Sequence, residues 1–369
     1  MQLTLETGET FEGTPFGAMR ESHGEVVFNT GMTGYVEALT DPSYRGQILV
    51  LTYPLQGNYG VPKGPFESKK IQVQGLVVGH YSNTPSHHTS DRSLGKWLEN
   101  EGVPAIYGVD TRALTIRLRV KGSIPGGLHL PDKANAQGVD RIDIRRVLDL
   151  VVEKEIVHYR GNSDLNVLLL DTGAKENIVR SLCKRGVSVV RAPWNSDWHG
   201  LLDEVDGVFM TNGPGDPVDA GGLIDKVRTH VLGANKPVFG ICFGHQLLSL
   251  AAGARTYKMK FGHRGVNQPV RDLSTGRCYI TSQNHGYVVQ TESLPNDFVP
   301  WFENLNDGSN EGIRHQSRPI SSVQFHPEAS PGPSDTSFLF DEFKKTIMAG
   351  RRTKRDTPKL AALTHRELA

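Results

Sequence analysis

Between residues 166 and 252 short apolar runs alternate with segments of helical period, and that rhythm leaves few architectures open. Asn166-Val167-Leu168-Leu169-Leu170, Val187-Ser188-Val189-Val190, Gly207-Val208-Phe209-Met210 and Pro237-Val238-Phe239-Gly240-Ile241 read as buried strands. Residues 176–184, 223–232 and 245–252 read as helices. Strands alternating with helices call for a parallel sheet covered on both faces. Ligands of such sheets gather at the carboxyl ends of the strands.

The first half mixes shorter patterns. Glu25-Val26-Val27-Phe28, Ile48-Leu49-Val50-Leu51 and Leu76-Val77-Val78 read as strands, and 94–100 and 112–120 as helices ended by Gly102 and Gly122. A loop over 130–140 and a closing helix over 145–152 follow, then the polar connector Tyr159-Arg160-Gly161-Asn162-Ser163-Asp164. At 369 residues the chain exceeds one average domain. The expected fold class is α/β: an N-terminal α/β domain over 1–155, a linker over 156–165, and an open, mostly parallel α/β sheet domain over 166–348. From 349 to 369 the chain turns basic, with Arg351, Arg352, Lys354, Arg355, Lys359 and Arg366 against Asp356 and Glu367, and reads as a flexible tail.

Charge and cysteine usage exclude several classes. The 41 Lys and Arg balance 40 Asp and Glu, which argues against an electrostatic nucleic-acid binder. No apolar run approaches the ~20 residues of a membrane helix, and the start, Met1-Gln2-Leu3-Thr4, lacks a secretory pattern. Cys183, Cys242 and Cys278 form neither a disulfide framework nor a metal spacing. A reducing cytoplasm is the expected setting. Cys183 and Cys278 read as structural, His87-His88 as surface loop, and no metal site is expected.

Cys242 is different. Gly240-Ile241-Cys242-Phe243-Gly244-His245-Gln246 follows a strand and opens a helix, the nucleophile-elbow pattern with Cys in place of Ser. A sharp strand-to-helix turn excludes side chains at its flanks and exposes the nucleophile above the sheet. The helix N-terminus favours thiolate, and the Phe243 amide points where an oxyanion would develop. Taken alone, the pattern equally fits a small buried cysteine in a tight turn. A nucleophile needs a base and the base an orienter. Phe325-His326-Pro327-Glu328 follows the strand pattern 321–325, and residues two apart in extended chain face the same side. Asn212-Gly213-Pro214-Gly215-Asp216-Pro217 and Gln283-Asn284-His285-Gly286-Tyr287 read as two glycine-bearing turns after strands.

Those four motifs, which follow one another along the chain at 212–217, 240–246, 283–286 and 325–328 within 166–347, resemble the class I (triad) glutamine amidotransferase family, whose fold is an open α/β sheet. The resemblance implies that Cys242 attacks the side-chain amide of L-glutamine, with His326 moving protons and Glu328 holding His326. It places further contacts with glutamine on Gly213, Gly215, Phe243, Gln246, Asn284, Gly286 and Tyr287. The family usually has Leu where Phe243 stands and Phe where Tyr287 stands.

Phe28-Asn29-Thr30-Gly31-Met32-Thr33-Gly34-Tyr35, Leu39-Thr40-Asp41-Pro42-Ser43-Tyr44, Leu51-Thr52-Tyr53-Pro54 and Gly108-Val109-Asp110-Thr111-Arg112 resemble the N-terminal domain of carbamoyl phosphate synthetase small subunits. By residue type Ser43 is an ordinary turn residue; the resemblance makes it a glutamine contact. The chain has no G-x-x-x-x-G-K-[ST] and no other phosphate cradle, so no cofactor is expected in it. The resemblance puts ATP and Mg on a large subunit, the partner that receives ammonia for pyrimidine or arginine biosynthesis. A stand-alone γ-glutamyl hydrolase would not need the N-terminal half. A catalytically dead homologue would lack Cys242, His326 or Glu328.

Overall fold

The computed structural model describes residues 1–130, 147–352 and 365–366. The chain divides into two compact units, one of Met1–Val147 with Met259–Gly265, the other of Leu148–Lys258 with Val266–Ala369. Among the described residues no helix is long and apolar enough to cross a membrane.

The first unit is built on β1 (Gln2–Leu5), β2 (Thr10–Glu12), β3 (Thr14–Pro15), β4 (Ser22–Asn29), β5 (Gln47–Gln56), β6 (Gly75–Tyr81), β7 (Ala105–Tyr107) and β8 (Ile124–His129). They form one sheet in the order β2-β1-β8-β4-β5-β6-β7-β3. β4 to β7 run parallel, and β8 lies antiparallel to β4. The helices are α1 (Tyr35–Thr40), α2 (Leu94–Asn100) and α3 (Thr111–Lys121). Strand alternation sends Val27, Leu49, Leu76 and Val78 to a core shared with α1 and α2, and Val26, Ile48, Val50 and Val77 to one shared with Leu114 and Leu118 of α3. Two helix starts follow from capping: Ser93 Oγ accepts from the Lys96 amide and Asp110 Oδ1 from that of Ala113.

The second unit holds β9 (Val157–Tyr159), β10 (Asn166–Asp171), β11 (Ser188–Pro193), β12 (Gly207–Met210), β13 (Val238–Ile241), β14 (Thr256–Asp272, of which 259–265 count with the first unit), β15 (Cys278–Val289), β16 (Phe298–Asn304), β17 (Asn310–His315), β18 (Ile320–Val323) and β19 (His365–Arg366). The sheet order is β15-β14-β16-β17-β18-β13-β12-β10-β11-β9-β19. Its centre, β18-β13-β12-β10-β11, is parallel. Helices α4 (Glu176–Lys184), α5 (Gly221–Lys226), α6 (Phe243–Ala252) and α7 (Phe338–Arg352) cover it. Val167, Leu169, Phe209, Phe239 and Ile241 face α4 and α7; Leu168, Leu170, Val208, Met210 and Val238 face α5 and α6. Both faces of each strand are apolar, the signature of a buried parallel sheet.

Several expectations need correction. Gln283–Tyr287 is not a turn but the middle of β15, and Gly286 is not at positive φ. An interior glycine weakens a strand without ending one. The expected helix over 223–232 is α5 followed by a π turn at Val227–Val231. Of the helix expected over 145–152, residues 145–146 lie outside the described residues and the rest holds a 3-10 turn, Leu148–Leu150. The loop expected over 130–140 lies outside them from residue 131 onward. Tyr159, assigned to a connector, ends β9, which pairs antiparallel with β11. The basic tail starts later than 349, because α7 runs to Arg352 on an apolar face of Leu339, Phe340, Phe343 and Ile347. Beyond it His365–Arg366 pairs with β9, and 353–364 and 367–369 lie outside the described residues. The antiparallel strands β14, β16 and β17 extend the sheet beyond the parallel centre that the sequence suggested.

Candidate active site

Cys242, His326, Glu328 and the residues that hold them gather at the carboxyl ends of β10, β12, β13 and β18 in the second unit. β13 ends at Ile241, and Cys242 is the N-cap of α6 with φ 52° and ψ −103°. That is the left-handed side of the map, costly for a residue with a Cβ and kept only where the surroundings dictate it. Two bonds dictate it here: the Cys242 amide donates to Val323 O at 2.8 Å and the Gly244 amide to Thr211 O at 2.9 Å, tying the elbow to both neighbouring strand ends. A Cβ on Gly244 would lie 2.5 Å from Met210 O, so the helix can approach the sheet this closely only with glycine there. Cys242 is buried, with Sγ 3.8 Å from Asn284 O of β15. Phe243, first residue of α6, has no preceding helical carbonyl for its amide.

His326 and Glu328 follow β18. His326 Nδ1 lies 2.6 Å from Glu328 Oε1, and both side chains are buried. The same carboxylate oxygen is 3.1 Å from Lys175 Nζ, a lysine that is only 2% exposed. Burial alone would raise the Glu328 carboxyl; Lys175 and the imidazolium outweigh it and bring it down to about 2. Burial likewise disfavours the charged imidazole, but Glu328 and Cys242 push His326 up to about 10. His326 Nε2 is buried without a well-aligned hydrogen bond among the described residues, yet the Cys242 sulfur is close enough to act on the ring. The arrangement is a relay: sulfur, imidazolium, carboxylate, ammonium.

Lys175 is held by its own turn. Asp171 Oδ1 accepts from the amides of Gly173 and Ala174, each at 2.9 Å, and Oδ2 takes Arg191 Nε at 2.7 Å. The Lys175 amide donates to Asn212 Oδ1 at 3.0 Å, and its Nζ also donates to Ala329 O. Ala329 and Ser330 both sit at positive φ, a strained segment fixed to the Lys175 turn just past Glu328. Sequence reading missed Lys175. Its only signal was position, after a strand end in Asp171-Thr172-Gly173-Ala174-Lys175, and a lysine is almost never buried unless paired.

The remaining expected residues of this unit converge on the same edge. Gly213 packs on the β10 end, where a Cβ would lie 2.3 Å from Thr172 O, and Gly215 has φ 97°. Gln246 stands one turn into α6, its amide donating to Cys242 O at 3.1 Å. Its Nε2 donates to Tyr287 O at 2.8 Å, linking α6 to β15, where Asn284 and Gly286 also lie. Ser43 belongs to the first unit, on a buried 3-10 turn, Pro42–Tyr44, whose start is capped by Asp41 Oδ1 accepting from the Ser43 amide at 2.9 Å. Cys183 is half-buried, its thiol pushed up to about 11 by burial, whereas Cys278 is exposed, which a structural role does not explain. His87 and His88 are exposed in a loop.

Residues 168–346 match the family model for class-I glutamine amidotransferases, and residues 3–128 match that for the CPSase domain of the carbamoyl-phosphate synthase small chain. The arginine-specific small chain of carbamoyl phosphate synthase from Neurospora crassa is 47% identical over 94% of this chain and 79% of its own length. The chain belongs to the carbamoyl-phosphate synthase small-chain family. The same arginine-specific chain from Neosartorya fischeri is 48% identical over 94% of this chain and 79% of its own. Multifunctional protein CAD of Squalus acanthias is 49% identical over 92% of this chain, which spans 16% of that protein. A carbamoyl-phosphate synthase small chain is the glutamine-hydrolysing component of that synthase, and the amidotransferase match covers the unit that holds Cys242, His326 and Glu328.

Proposed function

We propose that Cys242 is the nucleophile of this small chain, His326 its proton-transfer group, and Glu328 the residue that orients His326, with L-glutamine as substrate. The observation that carries the reading is the strained cysteine at a helix N-terminus beside an imidazole held at 2.6 Å by a buried carboxylate. An imidazole kept protonated next to the sulfur favours the thiolate. The thiolate attacks the γ-carbonyl; the oxyanion is met by the Phe243 amide and the backbone near Gly213 and Gly215. His326 gives its proton to the departing ammonia, leaving a glutamyl thioester on Cys242. His326 then takes a proton from water, which attacks the thioester and releases glutamate. Gln246, Asn284, Gly286 and Tyr287 contact the substrate.

The ammonia passes to a large subunit that makes carbamoyl phosphate from bicarbonate and ATP, with Mg on that partner and in the cytoplasm. What supports this step is small-chain membership, together with a sequence lacking any phosphate-binding motif. The test is Cys242→Ala in the two-subunit complex. Glutamine-dependent synthesis is expected to vanish and ammonia-dependent synthesis to persist. Near wild-type glutamine hydrolysis by this variant would overturn the assignment.

A further inference from the structure

The amide of Gln246 has a direction, and one buried residue outside the motifs read from the sequence sets it. Tyr287 O can only accept, so the Gln246 atom 2.8 Å from it is nitrogen. The second hydrogen of that NH₂ goes to Gln324 Oε1 at 3.0 Å. A flipped Gln324 would set nitrogen against nitrogen, so its orientation is forced in turn. Gln324 is fully buried between Val323 and Phe325, its own amide donating to Glu311 O at 2.9 Å, and its Nε2 has no hydrogen-bond partner among the described residues. An unpaired buried amide nitrogen is destabilising, which filling the space with an apolar side chain would avoid.

Both Gln246 hydrogens are therefore committed. Its Oε1 accepts from no described residue and is not among the fully buried unpartnered atoms, so it keeps access to solvent one helical turn from the nucleophile. Gln246 thus offers that space an acceptor and no donor. Resting on the reading of Gln246 as a glutamine contact, we propose that Gln324 is a positioning residue that locks Gln246 as a pure acceptor for an N–H of the substrate. The N–H belongs to the γ-amide or to the α-ammonium of glutamine. In either case a ligand group that only accepts meets oxygen facing oxygen and is rejected.

The experiment is steady-state hydrolysis by the full chain with its large subunit present, on three substrates: glutamine, the γ-methyl ester of glutamate (no γ N–H) and glutaramate (no α-ammonium). Gln324→Met frees the Gln246 amide to rotate. Its KM for glutamine is expected to rise about 3–10-fold, the worth of one hydrogen bond, with kcat little changed. One analogue, the one lacking the N–H that is read, is expected to keep its wild-type KM, and which one it is tells γ-amide from α-ammonium. Gln246→Met is expected to show the same pattern, and the double variant to be no worse than Gln246→Met, since the two residues act as one unit. Gln324→Glu, neutral in that burial and still carrying an accepting oxygen, is expected to stay within about twofold of wild type. An equal rise in KM for all three substrates, an additive double variant, or a Gln324→Glu chain as impaired as Gln324→Met would each overturn the proposal. Cys242→Ala run alongside separates this failure from loss of the nucleophile assignment.

Discussion

Lys175 shows what a single buried charge does for this site. With its Nζ 3.1 Å from Glu328 Oε1, it keeps the carboxylate ionised in a place where burial would protonate it. Lys175→Met breaks a buried pair, so a loss of about 3–5 kcal/mol in urea unfolding is expected. Glutaminase activity should fall with it, because a protonated Glu328 no longer stabilises the imidazolium. His326→Asn removes proton transfer, worth ~10²–10⁴-fold, while Glu328→Gln loses only alignment and charge. A side-by-side assay should show the larger loss at His326; the reverse order would exchange the two roles. The pKa directions also fix a pH signature. Glu328 falls from 4.5 to about 2 on folding, so its contribution is present above 4.5 and is lost as pH falls toward 2. His326 rises from 6.5 to about 10, so its contribution is full below 6.5 and is lost as pH rises through 10. The stability gap between wild type and Glu328→Gln should therefore be widest between pH 4.5 and 6.5. Thermal unfolding from pH 3 to 10 reads it, and a gap independent of pH would contradict the relay. At this scale Cys242, His326 and Glu328 were legible because chemistry ties their types to short motifs. Lys175 and Gln324 were not, since only the fold tells that they are buried and what they touch.

Among the elements, the elbow is the most constrained. Gly244 brings α6 against β12, and a Cβ there would sit 2.5 Å from Met210 O with nothing flexible to move. Gly244→Ala is expected to lower stability by about 1–3 kcal/mol, in the range of overpacking, and to cut activity further by displacing the Phe243 amide. Denaturant midpoints and glutaminase rates on the same preparation check both. Wild-type stability in Gly244→Ala would mean that the close contact is relieved elsewhere. Elements with local stop and start signals were legible: α2 and α3 have caps at Ser93 and Asp110, and β10, β12 and β13 are unbroken apolar runs. β14 was not, because its Lys258, Lys260, His263 and Arg264 break any apolar pattern and its length depends on pairing partners far along the chain. Gln283–Tyr287 was misread for the complementary reason, a glycine and an asparagine that usually mark turns placed inside the long strand at the edge of its sheet.

For the molecule as a whole, hydrolysis and use of ammonia are separate tasks. In the proposed hand-off the large subunit consumes the ammonia, so hydrolysis is expected to be slow in the chain alone and faster with the large subunit, ATP and bicarbonate. Such activation is bounded by the partner's preference for the active state. Glutamine hydrolysis measured for the chain alone, with the large subunit, and with the large subunit turning over checks this; equal rates in all three would speak for an uncoupled hydrolase. The central claim is more local, that glutamine is cleaved through a covalent bond to Cys242. Acid quench of the turning-over enzyme, followed by peptide mass spectrometry, reads that bond directly. A glutamyl group on the peptide that holds Cys242, absent in Cys242→Ala and accumulating when His326 is replaced by Asn under slow turnover, is the predicted result. An unmodified Cys242 peptide in wild type during steady-state hydrolysis, or the glutamyl group on another residue, would contradict it.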